Sequence, residues 1–265
     1  MARPTPLPLR VARTLRVAAH VAEGIATTVL VFPLVETHRR HALTRHWSRR
    51  LLRMLKVDAR LHGGSLDDVG GNLLIVANHI SWLDIFVVLS VRPARFVAKA
   101  ELRRWPFVGP LLTGAGTLYV ERARRRDAHK VNRHAAEALA RGDVVAIFPE
   151  GTTTDGTSLL PFHGSLLQPI VDAEGHVLPV ALRYRTPEGE HTAAAAYVGD
   201  TSIVESFWRL TGERSVVVEM HVGAPLPARL RHRRELARAA EHVIRTVLAS
   251  AATSRAPGTR GDPAA

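Results

Sequence analysis

From residue 72 onward, short apolar runs rich in β-branched residues alternate with stretches of helical periodicity, and this pattern restricts the fold more than any other feature of the chain. Strands that are apolar on both faces must be covered on both. The alternation therefore implies an α/β fold with a mixed, largely parallel sheet flanked by helices. Strands are expected over 72–77, 95–98, 117–121, 144–148, 177–184, 193–198 and 216–222. Helices are expected over 82–91, 127–140, 164–173 and 232–250, with Gly142 stopping the second. A chain of 265 residues with 46% hydrophobic composition can bury one sizeable core. The expected organisation is an N-terminal membrane-associated segment over 1–60, a single α/β domain over 61–250 and a disordered, Gly- and Pro-rich tail over 251–265.

The chain has no cysteine, which excludes a disulfide framework, a thiolate metal site and a cysteine nucleophile. Its formal net charge is +12, with arginine concentrated at 39–60, 103–126 and 228–245. Such a surface attracts anions: nucleic acid, anionic lipid headgroups, phosphorylated substrates or acidic carrier proteins. Nucleic acid fits poorly, because there is no zinc-finger spacing, no aromatic RNA-binding signature and only 5% aromatic residues.

Residues 17–35 approach the ~20 apolar residues of a spanning helix, but His20 and Glu23 interrupt them. Arg10, Arg13 and Arg16 precede the segment and Arg39, Arg40, Arg45, Arg49 and Arg50 follow it, so flanking charge gives no transmembrane orientation. Basic flanks on both sides suit a helix, or a helical hairpin with residues 43–56, that dips into one leaflet. The run starts too late and is too long for a cleaved signal peptide.

Functional groups of an open α/β sheet collect in the loops beyond the carboxyl ends of its strands. Three loops stand out. The first is Asn78-His79-Ile80-Ser81-Trp82-Leu83-Asp84, where an apolar strand gives way to an apolar helix. A carboxylate that accepts the His79 Nδ1 proton leaves Nε2 free to take a proton from a substrate hydroxyl. Five residues along a continuous helix are roughly 140° apart, so His79 must precede the helix for the two side chains to meet. Asp84 also fits a capping box with Ser81 as N-cap, and the two roles are compatible. The second loop follows Gly116 to Glu121 and carries Arg122, either a bidentate phosphate ligand or a solvated member of the run 122–126. The third is Phe148-Pro149-Glu150-Gly151-Thr152-Thr153-Thr154, where Gly151 permits close backbone approach and the threonines add hydroxyls.

In this order and spacing, Asn78-His79 with Asp84, Gly116 to Arg122, Phe148-Pro149-Glu150-Gly151-Thr152 and Val177-Leu178-Pro179-Val180 resemble the glycerolipid acyltransferases of the lysophosphatidic acid acyltransferase type, whose signature is NHx4D. Lys99-Ala100-Glu101-Leu102 and Phe162-His163-Gly164 belong to the same resemblance. It implies a membrane enzyme, on the cytoplasmic face of a bacterial inner membrane, that moves an acyl chain from acyl-CoA or acyl carrier protein to the free hydroxyl of a lysolipid. The acceptor expected first is 1-acyl-sn-glycerol-3-phosphate, and lyso-ornithine lipid is the alternative. The resemblance makes His79 the general base and Asp84 its partner, and assigns Arg122, Glu150, Gly151, Thr152, Asn78 and Lys99 to substrate binding. Pro179 would line the apolar side. It implies no metal and no cofactor beyond the acyl donor, an anionic membrane surface as partner, and no nucleic acid. Oxyanion donors are expected among the backbone N–H groups after His79 or at Gly151. Thr153 departs from the family, which commonly has arginine there. The competing readings are a hydrolase that activates water or Ser81, a catalytically silent membrane-binding homologue, and a metal site built from His79, Asp84 and Glu150.

Overall fold

The computed structural model describes residues 5–66, 69–105, 108–120 and 125–253. Two helices, α1 (Leu7–Ala26) and α2 (Thr37–Met54), lead into strand β1 (Val57–Gly63). There follow β2 (Leu73–Ala77), α3 (Leu83–Val91), β3 (Arg95–Lys99), α4 (Val108–Gly114), β4 (Leu118–Val120), α5 (Arg125–Ala140) and β5 (Val144–Ile147). The chain ends with α6 (Gln168–Asp172), β6 (His176–Arg185), α7 (Ile203–Gly212), β7 (Val216–Val222), β8 (Leu226–Pro227) and α8 (Arg233–Thr253).

The strands form one sheet in the order β1-β7-β6-β2-β5-β3-β4, with β8 paired to β6. β2 lies between β5 and β6 and is parallel to both, with Leu73 opposite Val144 on one side and His176 on the other. Only β7 and β8 pair antiparallel, each with β6, so the sheet is mixed and largely parallel, as the apolar alternation implies. Every residue of β2 and of β5 is buried. Leu73, Ile75 and Ala77 pack with α2 and α3 through Leu51, Leu52, Leu83 and Val87. Leu74 and Val76 point the other way, onto Leu139 of α5 and Leu236 and Ala240 of α8. Because β2 to β6 run in one direction, the loops after β2 and β5 emerge side by side at the same edge.

Two strand assignments differ from expectation, and α4, α7 and the two-residue β8 lie where no element is expected. Residues 193–198 are not a strand: Ala196 N–H closes a turn on Ala193 O, and Tyr197 N–H reaches across to Ile80 O. This apolar stretch is buried by lying on the loop after β2 rather than by joining the sheet. The edge position beside β7 belongs instead to Val57–Gly63, whose mixed sequence VDARLHG carries little apolar signal because most of its side chains are exposed.

The N-terminal segment is a helical hairpin. α1 continues through one wide turn, Thr27–Val31, and a short 3-10 turn, Phe32–Leu34, before α2 starts. The two polar residues that interrupt the apolar run hold the hairpin together. The His20 ring stacks on Trp47 at 4.6 Å, and its Nε2 donates to Trp47 O at 3.0 Å. Trp47 Nε1 donates in return to His20 O at 3.0 Å, and Glu23 accepts from Arg50 at 2.8 Å. Close approach requires Gly24 here, since a Cβ would fall 2.5 Å from Trp47 Nε1. The start of α1 is tied to the end of α7: Thr5 N–H donates to Gly212 O, Arg13 donates to Thr211 O, and the Arg10 guanidinium lies over the Trp208 ring. Helical structure from Leu7 to Leu34 has the length and apolar character to cross a membrane, but one side of it is fastened to the α/β domain along its course. Its other side exposes Leu7, Leu9, Leu15, Leu30 and Leu34. Trp47→Ala should destabilise the protein by about 3–5 kcal/mol in urea unfolding and make α1 the first site of limited proteolysis, because the ring fills the space between His20 and Phe86.

Candidate active site

The loop after β2 is built around the Asp84 carboxylate, which is completely buried. Its Oδ2 accepts from His79 Nδ1 at 2.8 Å and from the backbone N–H groups of Ile80 at 2.7 Å and Ser81 at 2.9 Å. Its Oδ1 accepts from the Tyr184 hydroxyl at 2.6 Å. Ser81 Oγ accepts from Leu83 N–H at 3.2 Å, whereas Asp84 N–H donates to the Ser81 backbone oxygen at 3.1 Å, so the expected capping box keeps only its Asp84-to-Ser81 half, and Trp82, the residue before α3, makes no side-chain cap bond. The same carboxylate thus ties the turn ahead of α3 and holds the imidazole. With Nδ1 donating to Asp84, Nε2 is the basic nitrogen, and among the described residues no group bonds it. The His79 side chain is 20% exposed, against none for Asp84. Phe148 stacks on the imidazole at 3.9 Å and 4°, which fixes the ring plane and keeps water off one face.

Two further side chains anchor the loop. Asn78 Nδ2 donates to Leu182 O at 3.0 Å and its Oδ1 accepts from Leu182 N–H at 2.7 Å, so both polar atoms serve as a peg into β6. Glu150, 3% exposed, accepts from His79 N–H at 2.7 Å through Oε1 and from Leu160 N–H at 2.9 Å through Oε2. Burial raises the Glu150 pKa, and those two N–H groups oppose the rise. Glu150 is thus turned toward backbone, and among the described residues no three His, Asp or Glu side chains are grouped to hold a metal.

The remaining sequence candidates are spread along the same sheet edge. Gly151 sits at φ 75 directly after Glu150, a left-handed turn that suits glycine, and Thr152 beside it is exposed. Lys99 is exposed at the end of β3, opposite Val120. Pro179 is buried in β6 opposite Val76. Arg122 lies outside the described residues. Thr153, in the place where the family commonly has arginine, donates its hydroxyl to Tyr197 O. The N–H groups of His79, Ile80, Ser81 and Leu83 are all engaged, which removes them as the oxyanion donors expected there. Tyr184 was not among the sequence candidates. Its signal is a lone hydroxyl in an otherwise apolar strand, which needs a buried partner, and here the partner is Asp84. Burial, followed by the charge and hydrogen bond of Asp84, pushes the Tyr184 pKa well above the usual phenol range, so it remains a donor.

The family model described as Acyltransferase matches residues 53–183. A lyso-ornithine lipid O-acyltransferase from Pseudomonas aeruginosa is 40% identical over 213 residues, covering 80% of both chains. The chain belongs to the acyltransferase family. A lyso-ornithine lipid O-acyltransferase from Brucella abortus is 32% identical and spans 91% of this acyltransferase and 97% of its own length. A 1-acyl-sn-glycerol-3-phosphate acyltransferase from Neisseria gonorrhoeae is 40% identical over 56% of the chain and 58% of its own. The crystal structure of the 1-acyl-sn-glycerophosphate acyltransferase PlsC from Thermotoga maritima shares the fold, with a TM-score of 0.66, 21% identity, and 92% and 98% coverage.

The acyltransferase geometry yields two tests. Tyr184→Phe leaves Asp84 Oδ1 without its donor, so the carboxylate charge is less neutralised and favours imidazolium more strongly. Stability should fall by about 1–3 kcal/mol, and the acid limb of the kcat/KM profile should move to higher pH. Glu150→Gln places an NH2 group against one of the two backbone donors and should lower activity by displacing the His79 loop. Its pH signature is also specific. Because the folded pKa of Glu150 is raised above 4.5, its contribution to stability is present below that value and is lost as pH rises through the folded pKa. The stability advantage of wild type over Glu150→Gln, read by thermal unfolding, should therefore shrink across that interval.

Proposed function

We propose that this acyltransferase moves a fatty acyl group from a thioester, acyl-CoA or acyl carrier protein, to the free hydroxyl of a lysolipid. The observation that carries the reading is the His79 imidazole, bound through Nδ1 to a buried carboxylate and open at Nε2. Nε2 removes the acceptor hydroxyl proton as the oxygen attacks the thioester carbonyl, and Asp84 stabilises the imidazolium that forms. Collapse of the tetrahedral intermediate breaks the carbon–sulfur bond, and His79 returns the proton to the thiolate. In this reading Asn78 and Glu150 hold the loop, while Thr152 and Lys99, both exposed at the same edge, face the substrates. The Gly151 N–H, the other oxyanion donor expected, is likewise engaged, donating to Phe148 O at 3.2 Å. Arg122 is assigned to an acidic group of the acceptor or donor.

An apolar cleft of about 510 Å³ between α1, α2, α3 and α4 suits the acyl chain. Its lining includes Phe32, Leu43, Trp47 and Leu111, together with Ile85 and Phe86, which directly follow Asp84 on α3. The exposed leucines of α1 and the turn at Val29–Leu34 support a hairpin lying in one leaflet, on the cytoplasmic face of a bacterial inner membrane, where the arginine excess meets anionic lipid.

Two acceptors fit this reading, 1-acyl-sn-glycerol-3-phosphate and lyso-ornithine lipid. Thr153 favours the second, because its hydroxyl is tied to Tyr197 O where a guanidinium would otherwise meet a phosphate monoester. The test is a labelled acyl-thioester assay pairing both acceptors with both donors. Label should enter a diacyl lipid only when lysolipid is added, and His79→Ala should lower the rate by ~10² to 10⁴. Label recovered only as free fatty acid, or a His79→Ala rate within a few-fold of wild type, would sink the proposal.

A further inference from the structure

A second cleft, of about 630 Å³, opens at the opposite edge of the sheet from His79. Its lining includes Arg95 and Val144, the first residues of β3 and β5, whereas His79 and Phe148 follow the last residues of β2 and β5. Four residues of β5 put the two edges about 13 Å apart. Nothing in the acyl-transfer step makes use of this edge.

Thr37, Arg40, His41 and Thr44 form one wall, spaced so that they share a face of α2. Gly114, Ala115 and Gly116 form another, and their small size leaves the space open. Arg95 pairs with Asp143 at 3.0 Å on the floor. The charge balance is strongly positive. Desolvation lowers the His41 pKa, Asp143 opposes this, and Arg95, Arg92 and Arg45 push the same way as desolvation. Within the lining itself, Arg40, Arg95 and His41 meet a single carboxylate, Asp143. The first turn of α2 contains no acidic residue, and its N-cap, Glu36, makes no side-chain cap bond but turns outward to pair with His38 at 3.1 Å. Basic residues at a helix N-terminus run against the helix dipole, and an anion there relieves both.

The cleft's location points to the source of that anion. Leu30, Val31 and Leu34 are 65%, 38% and 84% exposed at the hairpin turn just before α2. Arg40 lies in the first turn of α2, six residues past Leu34, which places it beside the exposed apolar turn where a headgroup layer would meet it. We propose that this cleft binds the phosphate of an anionic membrane phospholipid, with Arg40 and His41 as the contacting groups and Arg95 held in place by Asp143. The site rests on the reading of the hairpin as membrane-inserted, and it makes the enzyme sensitive to phosphate-bearing lipid rather than to negative charge alone.

The test compares binding to two sets of phosphatidylcholine vesicles matched in surface charge, one carrying phosphatidylglycerol and the other oleate. Wild type should prefer the phosphatidylglycerol vesicles. Arg40→Gln and His41→Gln should each reduce that preference, Arg40→Gln by roughly five-fold. Arg39→Gln, in the same turn but outside the cleft, should weaken binding to both sets equally and leave the preference intact. Activity on detergent-dispersed substrate should be unchanged in all three variants, which shows that the fold and the dyad are intact. Equal binding of wild type to both vesicle sets overturns the phosphate site and leaves the membrane reading standing, whereas binding to neither overturns both. Millimolar inorganic phosphate that abolishes the preference would assign the cleft to free phosphate and overturn the lipid proposal.

Discussion

The carboxylate of Asp84 has no contact with solvent and accepts from four donors: an imidazole, two backbone N–H groups and a phenol. A carboxylate buried without such partners would neutralise or destabilise the fold, and four donors offset the loss of hydration. Those donors come from the loop after β2 and from strand β6, while Asp84 itself belongs to α3, so meeting the needs of one charge fixes three parts of the chain against each other. The geometry of the proposed catalytic pair follows from the same constraint. His79 cannot turn away without leaving the carboxylate short of a donor, and Phe148 prevents the ring from tilting. Asn78 and Glu150 extend the logic, one fastening the loop to β6 and the other to the loop after β5. An imidazole held this way would require little reorganisation in the general-base role proposed for it.

The N-terminal hairpin shows a comparable economy. In an apolar helix, a histidine and a glutamate argue against a clean membrane span, yet both are engaged with α2, through Trp47 and Arg50. Their presence marks the side of α1 that meets protein, and the exposed leucines mark the other. The apolar cleft lies between these helices and α3, so the hairpin proposed to address lipid also walls the space proposed for the acyl chain.

Much of this was legible in the sequence because the signals were local. A histidine placed before a helix, a carboxylate five residues on and two fully apolar strands are patterns within a few residues. The sheet accordingly has β2 and β5 side by side at its centre, and His79 meets Asp84 at 2.8 Å. Where the environment decides, local pattern misled. Residues 193–198 have strand-like composition but are buried against a loop, and Val57–Gly63 is a strand whose exposed side chains left no periodic trace. The His79 N–H, expected among the oxyanion donors, proved to be engaged by Glu150, 71 residues away in the chain, which no local pattern records.

By itself the sequence determined that the chain builds a covered α/β sheet and that a histidine and a carboxylate meet at the end of one of its strands. Both follow from short-range spacing and from the need to bury apolar strands on both faces. Tertiary structure alone decided that Tyr184, 100 residues beyond Asp84, completes that carboxylate's shell. It also decided that Glu150 faces the backbone of the His79 loop, and that arginines from α2 and β3 converge on the far edge of the sheet. Long-range hydrogen bonds and the summed field of distant charges leave no imprint on local pattern, because they arise only when strand order brings remote segments to the same place.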